Sequence, residues 1–230
     1  TSRKFPYVGF QPEREIGNFV LTAEKLNSKD DDGNVLLNDF SITIHPGEKV
    51  AFVGMEHNSI TSFFDIVSET KKPESGTYSW GQTTSHSYMG RDNSAYFNNE
   101  LTITDWLKQY SPDQDDAYVR GFLGRMLFSG DDGLKKVKVL SGGEKVRCML
   151  SKMMLSGANV LILDDPTNHL DLESIESLNE GLVKFPGVVM FSSHDHEFIS
   201  TIANRIIEIT PKGIIDRMMN FDDYLKDDQV

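Results

Sequence analysis

The stretch that most constrains the fold of this chain runs from Leu140 to Asp171. It opens with Leu140-Ser141-Gly142-Gly143-Glu144, where Ser141 can cap a helix and Glu144, three residues later, completes a capping box. Gly142 and Gly143 leave backbone N–H groups accessible at the positive end of the helix dipole, so this helix start is suited to an anion. Apolar residues then recur at helical spacing and predict a buried stripe: Val146, Met149, Leu150, Met153 and Met154.

A short buried strand and two carboxylates close the same stretch. The run Val160-Leu161-Ile162-Leu163 is apolar and partly β-branched, which predicts a central parallel strand. Asp164 and Asp165 follow it, at the edge where such a strand can hold Mg²⁺ against a nucleotide phosphate. An anion-binding helix start alone is common, but the two features in this order are highly specific.

This stretch resembles the signature sequence and the Walker B segment of ABC-type ATPases, and Thr167-Asn168-His169-Leu170-Asp171 resembles their ABC-F branch. The resemblance covers about residues 18 to 218. It implies the α/β fold of an ABC-type nucleotide-binding domain. Such a domain consists of a P-loop core, an N-terminal antiparallel β lobe and a helical signature lobe, which is expected here at about residues 95–155. We expect residues 1–17 to be the end of an inter-domain linker and residues 219–230 to be a C-terminal tail.

Composition narrows the class of protein further. Hydrophobic residues at 38% and charged residues at 25% describe a globular protein with a sizeable core, and no apolar run approaches the roughly 18–20 residues of a membrane helix. The single cysteine and the absence of a signal-like start predict a cytoplasmic location. A net charge of −12 excludes a general nucleic-acid binder. The candidate local basic patch is formed by Lys135, Lys136 and Lys138.

The order of elements supports an α/β core. Alternating residues from Val20 to Ile44 predict strands, and Val50-Ala51-Phe52-Val53 predicts a buried strand that leads through a loop to a helix at Ile60–Val67. Pro112 divides a later helical pattern into two helices. A strand is expected at Val188–Phe191, and a terminal hairpin follows it.

The loop after Val53 corresponds to a degenerate phosphate loop. The family pattern Gly-x-x-x-x-Gly-Lys-Ser/Thr aligns with Gly54-Met55-Glu56-His57-Asn58-Ser59-Ile60-Thr61, and Ser62 follows. Ile60 replaces the lysine that would bind phosphate, Ser59 replaces the second glycine, and Glu56 adds a negative charge. Thr61 keeps a hydroxyl for Mg²⁺. We assign Gly54 to Ser62 to nucleotide binding; the alternative is a plain strand–helix connection.

The resemblance assigns further residues. Asp164 and Thr61 match Mg²⁺ ligands, and Asp165 occupies the position of the glutamate general base, with a side chain one methylene shorter. His194 matches the switch histidine, so Asp165 and His194 are the catalytic candidates. The resemblance also assigns cofactor binding to Arg91, which replaces the Q-loop glutamine, and to the signature residues Ser141, Gly142, Gly143 and Glu144. Asp171 of the D-loop is assigned to cofactor binding too, and it can cap a helix as well.

In this family two such domains face each other head to tail, with ATP and Mg²⁺ as cofactors. The resemblance therefore implies that the signature of this chain serves ATP held by a second ABC domain of the same polypeptide. It also implies ATP hydrolysis to ADP and phosphate, with the translating ribosome as the site of action in the ABC-F branch and rRNA as a partner. Two alternatives stay open: a catalytically weak pseudo-ATPase interaction module, or the ATPase subunit of an ABC transporter. The first is favoured by the absence of an aromatic residue that could stack on adenine between Val20 and Asn38.

Overall fold

Two β-sheets form the framework of the computed structural model, which describes residues 5–54, 56–210 and 213–227. The antiparallel sheet contains β1 (Leu21–Lys29), β2 (Val35–Ile44) and β4 (Ser75–Trp80), in the order β2-β1-β4. The larger sheet contains β3 (Lys49–Val53), β5 (His86–Met89), β6 (Val160–Asp164), β7 (Val188–Ser192), β8 (Arg205–Thr210) and β9 (Gly213–Arg217). Its strand order is β5-β6-β7-β3-β8-β9.

Seven α-helices surround these sheets in the described part of the chain. They are α1 (His57–Val67), α2 (Ile103–Lys108), α3 (Asp116–Arg125), α4 (Gly142–Ser156), α5 (Leu172–Lys184), α6 (His196–Ile202) and α7 (Phe221–Leu225). Among the described residues, no helix has both the length and the apolar character to cross a membrane.

The parallel part of the larger sheet sets the position of the candidate site. Strands β5, β6, β7, β3 and β8 run parallel, and only β9 pairs antiparallel, with β8. The β6 and β7 strands are buried along their whole length, which explains their continuous apolar sequences. Because their carboxyl ends lie at one edge, Asp164 pairs in register with Ser192 there. The predicted central strand and terminal hairpin are therefore confirmed.

Helix α1 packs its apolar side into an aromatic core beside the two sheets. Phe63 lies 4.8 Å from Phe40 and 5.3 Å from Phe52, measured between ring centroids. Ile60 is buried in the same core. The helix begins at His57, three residues before the predicted start at Ile60, and so absorbs the second half of the loop. This earlier start fixes where the loop side chains point.

The helical lobe is organised around Trp106 on α2. Its indole Nε1 donates to the carbonyl oxygen of Tyr96 at 2.8 Å, and its ring stacks on Phe97 with a centroid distance of 5.0 Å. The predicted break at Pro112 is confirmed, because α2 ends before it and α3 begins after it. The predicted buried stripe of α4 is confirmed as well, and α4 ends at Gly157, whose φ is 65°.

The segment of residues 5–17 contains no helix or strand but packs along the domain. Val8 is buried. The backbone N–H of Tyr7 donates to the carbonyl of Arg125 at 2.7 Å, and that of Glu13 donates to the carbonyl of Gly157 at 2.9 Å. The segment is thus joined to the ends of α3 and α4 as well as to the core.

The thiol of Cys148 is expected to be inert in the folded chain. The side chain is fully buried in α4, and this burial raises the pKa of the thiol to about 12. Since the thiolate is the reacting species, an aromatic disulfide reagent at pH 8 should modify native chain at least about a hundredfold more slowly than urea-unfolded chain. Equal rates in stopped-flow absorbance would contradict this placement.

Candidate functional site

The carboxylate of Asp164, at the end of β6, is the centre of the candidate site. Its Oδ1 lies 2.8 Å from Nε2 of His57 and accepts a hydrogen bond of 2.8 Å from the hydroxyl of Ser192. Its Oδ2 accepts a hydrogen bond of 2.6 Å from the hydroxyl of Thr61. A carboxylate can only accept, so the imidazole of His57 carries its proton on Nε2. Three donors from α1 and β7 therefore converge on one buried carboxylate.

These donors keep Asp164 ionised in the interior. Its side chain is 0% exposed, and burial by itself would raise the pKa of the carboxyl group. The hydrogen bonds from His57, Thr61 and Ser192, with the electrostatic effect of His57, outweigh burial and hold the pKa below its ordinary value. The charge is thus stabilised by groups of the chain itself.

The other loop residues point in several directions. Gly54 has a φ of 140°, and a Cβ there would lie 2.5 Å from the carbonyl oxygen of Ile209, so this position requires glycine. Glu56 is the N-cap of α1, makes no side-chain capping bond and is exposed. Asn58 is exposed too. Met55, assigned to the loop, lies outside the described residues.

The second half of the loop turns its side chains into the interior. Ser59 and Ile60 are buried. Ser62 is buried as well, and its hydroxyl lies 2.7 Å from the hydroxyl of Ser28 on β1 and 3.2 Å from the ammonium of Lys71. The structure therefore does not bring Ser62 to Asp164, although the sequence assigned both to one site. A helix rotates by about 100° per residue, so Ser62 faces the antiparallel sheet while Thr61 faces β6.

Asp165 lies directly after Asp164 in a left-handed backbone conformation, with a φ of 51°. Its backbone N–H bonds to the hydroxyl of Ser192 at 3.0 Å and lies 3.2 Å from the carbonyl oxygen of the same residue. Nε of Arg91 lies 4.0 Å from Oδ2 of Asp165. Aspartate tolerates this conformation better than most residues, so the turn is feasible without glycine. The structure brings the two assigned residues together as a partly exposed ion pair.

His194 is exposed in the turn between β7 and α6 and lies close to the loop histidine. The ring centroids of His57 and His194 are 5.5 Å apart, with an angle of 32° between the rings. A cavity of about 240 Å³ opens beside them, and its lining includes Gly54, Ser193 and His196. His194 is therefore at the same edge of the sheet as Asp164, as its assignment requires.

The start of α4 is a second, separate feature. The hydroxyl of Ser141 accepts a hydrogen bond of 3.2 Å from the N–H of Glu144, and Oε1 of Glu144 accepts one of 3.1 Å from the N–H of Ser141. This confirms the predicted capping box. Burial would raise the pKa of Glu144, but the bonds from Ser141 and the nearby Lys135 and Arg147 lower it. Ser141 and Gly142 are exposed, so the helix start faces away from the core.

The turn that follows β6 supports this helix start. A Cβ on Gly143 would lie 2.8 Å from the carbonyl oxygen of His169, and one on Gly142 would lie 3.4 Å from the His169 ring. Asp171 caps α5, because its Oδ1 accepts a bond of 2.8 Å from the N–H of Ser174. The hydrogen bonds of Ser174 lower the pKa of Asp171. The cap predicted for Asp171 is confirmed.

A family model described as ABC transporter matches residues 37–168, more than half of the chain. The chain belongs to the ABC transporter family. It is 56% identical over 232 residues to the uncharacterized ABC transporter ATP-binding protein YkpA of Bacillus subtilis, covering 100% of this chain and 43% of that protein. It is 31% identical over 217 residues to the energy-dependent translational throttle protein EttA of Escherichia coli, covering 93% of this chain and 39% of that protein.

The fold agrees with solved structures of this family. The protein cbiO1 from Clostridium perfringens, described as part of the ABC transporter complex cbiONQ, superposes with a TM-score of 0.66 at 18% identity, covering 92% of each chain. The predicted α/β fold of an ABC nucleotide-binding domain is confirmed. The chain spans less than half of the length of the two curated relatives named above.

ABC domains bind ATP, in general with Mg²⁺, but the Gly54–Thr61 loop with Asp164 does not fit the magnesium complex. The carboxylate that would hold the cation already accepts three internal hydrogen bonds. The lysine position is occupied by Ile60, which is buried, and Glu56 places a negative group at the start of α1. We refer to this loop and Asp164 as the chain's own half-site.

Sequence reasoning missed the part played by Ser192. Its hydroxyl bonds both to Asp164 and to the N–H of Asp165. The available signal was a polar residue at the end of the neighbouring apolar strand β7. The bond between His57 and Asp164 cannot be predicted from the sequence either, because a contact across 107 positions leaves no local pattern.

Proposed function

We propose that this chain is the ATPase half of an ABC-F protein, which pairs head to tail with a second ABC domain of the same polypeptide. In this pair the chain contributes the start of α4 to ATP and Mg²⁺ held by the other domain. One contrast carries the proposal: the Ser141 helix start is preformed and exposed, whereas Asp164 in the chain's own half-site is buried and already accepts three internal hydrogen bonds.

The chemistry of the α4 start supports this division. The Ser141 hydroxyl and the backbone N–H groups of Gly142 and Gly143 lie at the positive end of a 15-residue helix. Such a helix end stabilises an anion. During phosphoryl transfer the charge on the terminal phosphate redistributes, and hydrogen-bond donors placed at that phosphate stabilise the transition state. Because the start is exposed, a second domain can bring its nucleotide to it. Hydrolysis to ADP and phosphate then belongs to the assembled pair.

The ABC-F assignment rests on resemblance. The sequence Thr167–Asp171 is typical of that branch, and the relative EttA is by name a translational throttle protein. We therefore propose action on the translating ribosome and a cytoplasmic location. The candidate basic patch does not favour an rRNA contact of its own, because Lys136 and Lys138 pair with Glu100 and Lys135 pairs with Asp132 and Glu144.

The proposed domain boundaries follow from the same resemblance. The ABC domain comprises residues 18–218, with its helical lobe at about 95–155, and is preceded by the end of a linker and followed by a tail at 219–230. In this proposal Asp165, His194, Arg91 and the loop belong to the weaker half-site. Asp171 lies with the signature, since the turn that contains His169 contacts the start of α4.

A second candidate function is a pseudo-ATPase interaction module. The three internal hydrogen bonds of Asp164 favour it, as does the position of Arg91 Nε at 4.0 Å from Oδ2 of Asp165. In that case both halves of the polypeptide would lack turnover. A transporter ATPase, which the description of YkpA suggests, is the third candidate. It would require stable association with membrane domains.

The test is Ser141→Arg in the full-length polypeptide that carries both ABC domains. The larger cation blocks the helix start, so ATP turnover per molecule should fall at least about tenfold, as expected when a transition-state donor is lost. Phosphate release is the measurement, and circular dichroism verifies folding, because loss of the cap costs about 1 kcal/mol.

The matched control is Ser156→Arg, an exposed serine at the other end of α4. Arginine is favourable near a helix C-terminus, so this variant should keep its turnover. Unchanged turnover in Ser141→Arg would refute the role of this helix start. A wild-type polypeptide without turnover would favour the pseudo-ATPase.

A further inference from the structure

The mismatch between Mg²⁺ and the chain's own half-site has a specific structural cause. His57 is the first residue of α1 and the fourth residue of the phosphate loop. Its imidazole, 14% exposed, reaches across to Asp164, which is 0% exposed. A histidine on an exposed helix start would ordinarily remain in solvent. Here it is held inside the site by a hydrogen bond to the family's metal-side aspartate.

The bonds of Asp164 leave little room for a cation. Oδ1 is shared by the His57 and Ser192 donors, and Oδ2 is taken by Thr61. Mg²⁺ demands near-octahedral oxygen ligands at about 2.0–2.1 Å and binds neutral imidazole poorly. A cation approaching Oδ1 would therefore have to displace the His57 ring first. Ser192 is a smaller obstacle, because its hydroxyl hydrogen can rotate away from Oδ1 while its oxygen still accepts the N–H of Asp165.

We propose that His57 takes the place of the divalent cation in this half-site and keeps Mg²⁺ out. The imidazole supplies a hydrogen-bond donor to the buried carboxylate, and it ties the start of α1 to the ends of β6 and β7. The start of α1 is thereby held at the end of β6 by residues of the chain itself. This inference rests on the proposed function only in identifying Asp164 with the metal-side aspartate of the family.

The surroundings of the pair are consistent with a closed half-site. Ile60 lies in the aromatic core, so the position of the missing lysine contributes packing in place of charge. The ring of His194 lies 5.5 Å from that of His57 and borders the same cavity. The two histidine rings therefore lie side by side at this cavity, and His57 is the one of the two that bonds to Asp164.

The test compares the thermal unfolding of the 230-residue chain with and without 10 mM Mn²⁺, a stronger-binding probe than Mg²⁺, at constant ionic strength. In His57→Ala the carboxylate loses its internal partner and becomes available. Mn²⁺ should then raise Tm by at least about 2 °C more than it does for wild type. His57→Ser, which suits a helix start, is the second variant if alanine prevents folding.

Two controls isolate the site. The double variant His57→Ala/Asp164→Asn lacks the carboxylate and should lose the additional stabilisation by Mn²⁺. His45→Ala removes a comparable pair, His45 Nδ1 with Glu48 Oε1 at 2.9 Å, outside the site. It should respond to Mn²⁺ as wild type does, which accounts for general binding to an acidic chain.

Two results would overturn the proposal. One is a stabilisation of wild type by Mn²⁺ that Asp164→Asn abolishes, since the cation would then bind despite His57. The other is the absence of any additional stabilisation in both His57 variants, since something else would then exclude the cation. Neither result bears on the role of Ser141, which is measured by turnover in the two-domain polypeptide.

Discussion

Replacement of Gly54 by alanine is expected to destabilise the chain by about 3 kcal/mol or more, the sum of backbone strain and a steric clash. The φ of Gly54 is 140°, a conformation that side chains rarely adopt. The added Cβ would lie 2.5 Å from the carbonyl oxygen of Ile209 on the adjacent strand β8. Neither backbone can move easily, because β3 and β8 are paired immediately before this point.

Gly33→Ala is the matched control. Gly33 has a φ of 84°, but an added Cβ would meet no atom within 4 Å. Only the conformational cost remains there, about 1 kcal/mol. Urea unfolding of both variants measures the difference between their free energies of unfolding, provided that their m values are equal. Equal losses in the two variants would show that the contact with Ile209 is unimportant.

The first glycine of the loop therefore has a structural reason to persist. Ser59 and Ile60 replaced the glycine and lysine that bind phosphate, and both are accommodated in the interior. Gly54 has no such freedom, because the sheet itself excludes a side chain. A recognisable Gly54 is accordingly poor evidence that the loop still binds nucleotide.

Trp106→Ala is expected to cost about 3–5 kcal/mol, the usual range for removing a large buried aromatic side chain. Trp106 is fully buried and fills the centre of the helical lobe. Its loss leaves a cavity and also removes the hydrogen bond to the carbonyl oxygen of Tyr96. Denaturant unfolding followed by circular dichroism measures the change.

Trp106→Phe is the conservative control, because phenylalanine keeps an aromatic ring beside Phe97 and loses the indole hydrogen bond. We expect it to cost clearly less than alanine. Since α2 contacts α4, hydrogen exchange along α4 should increase in Trp106→Ala before the central sheet is affected. Unchanged exchange in α4 would mean that the signature helix is held independently of α2.

Local patterns were sufficient for much of the fold. Strands β6 and β7 were readable because burial on both faces requires continuous apolar residues. The capping box at Ser141 was readable because its two partners are three positions apart. The start of α1 was not, since Glu56 provides no capping bond and the helix begins at His57. The spacing of apolar residues predicts a start at Ile60.

The candidate site was predictable only in part, for a similar reason. The carboxyl ends of parallel strands meet at one edge, so the neighbourhood of Asp164 follows from topology. The specific partners of Asp164 depend on side-chain directions that the sequence does not encode locally. Ser62 illustrates the point, because one step along α1 turns it from the site to Ser28.

Residues 5–17 have a consequence for movement within the domain. This segment is bonded to Arg125 at the end of α3, to Gly157 at the end of α4 and, through the N–H of Gly17, to Thr83 in the turn between β4 and β5. A rotation of the helical lobe against the sheets would have to break some of these bonds or carry the segment with it. Residues 5–17 therefore couple any movement of the helical lobe to the central sheets, although they contribute no helix or strand of their own.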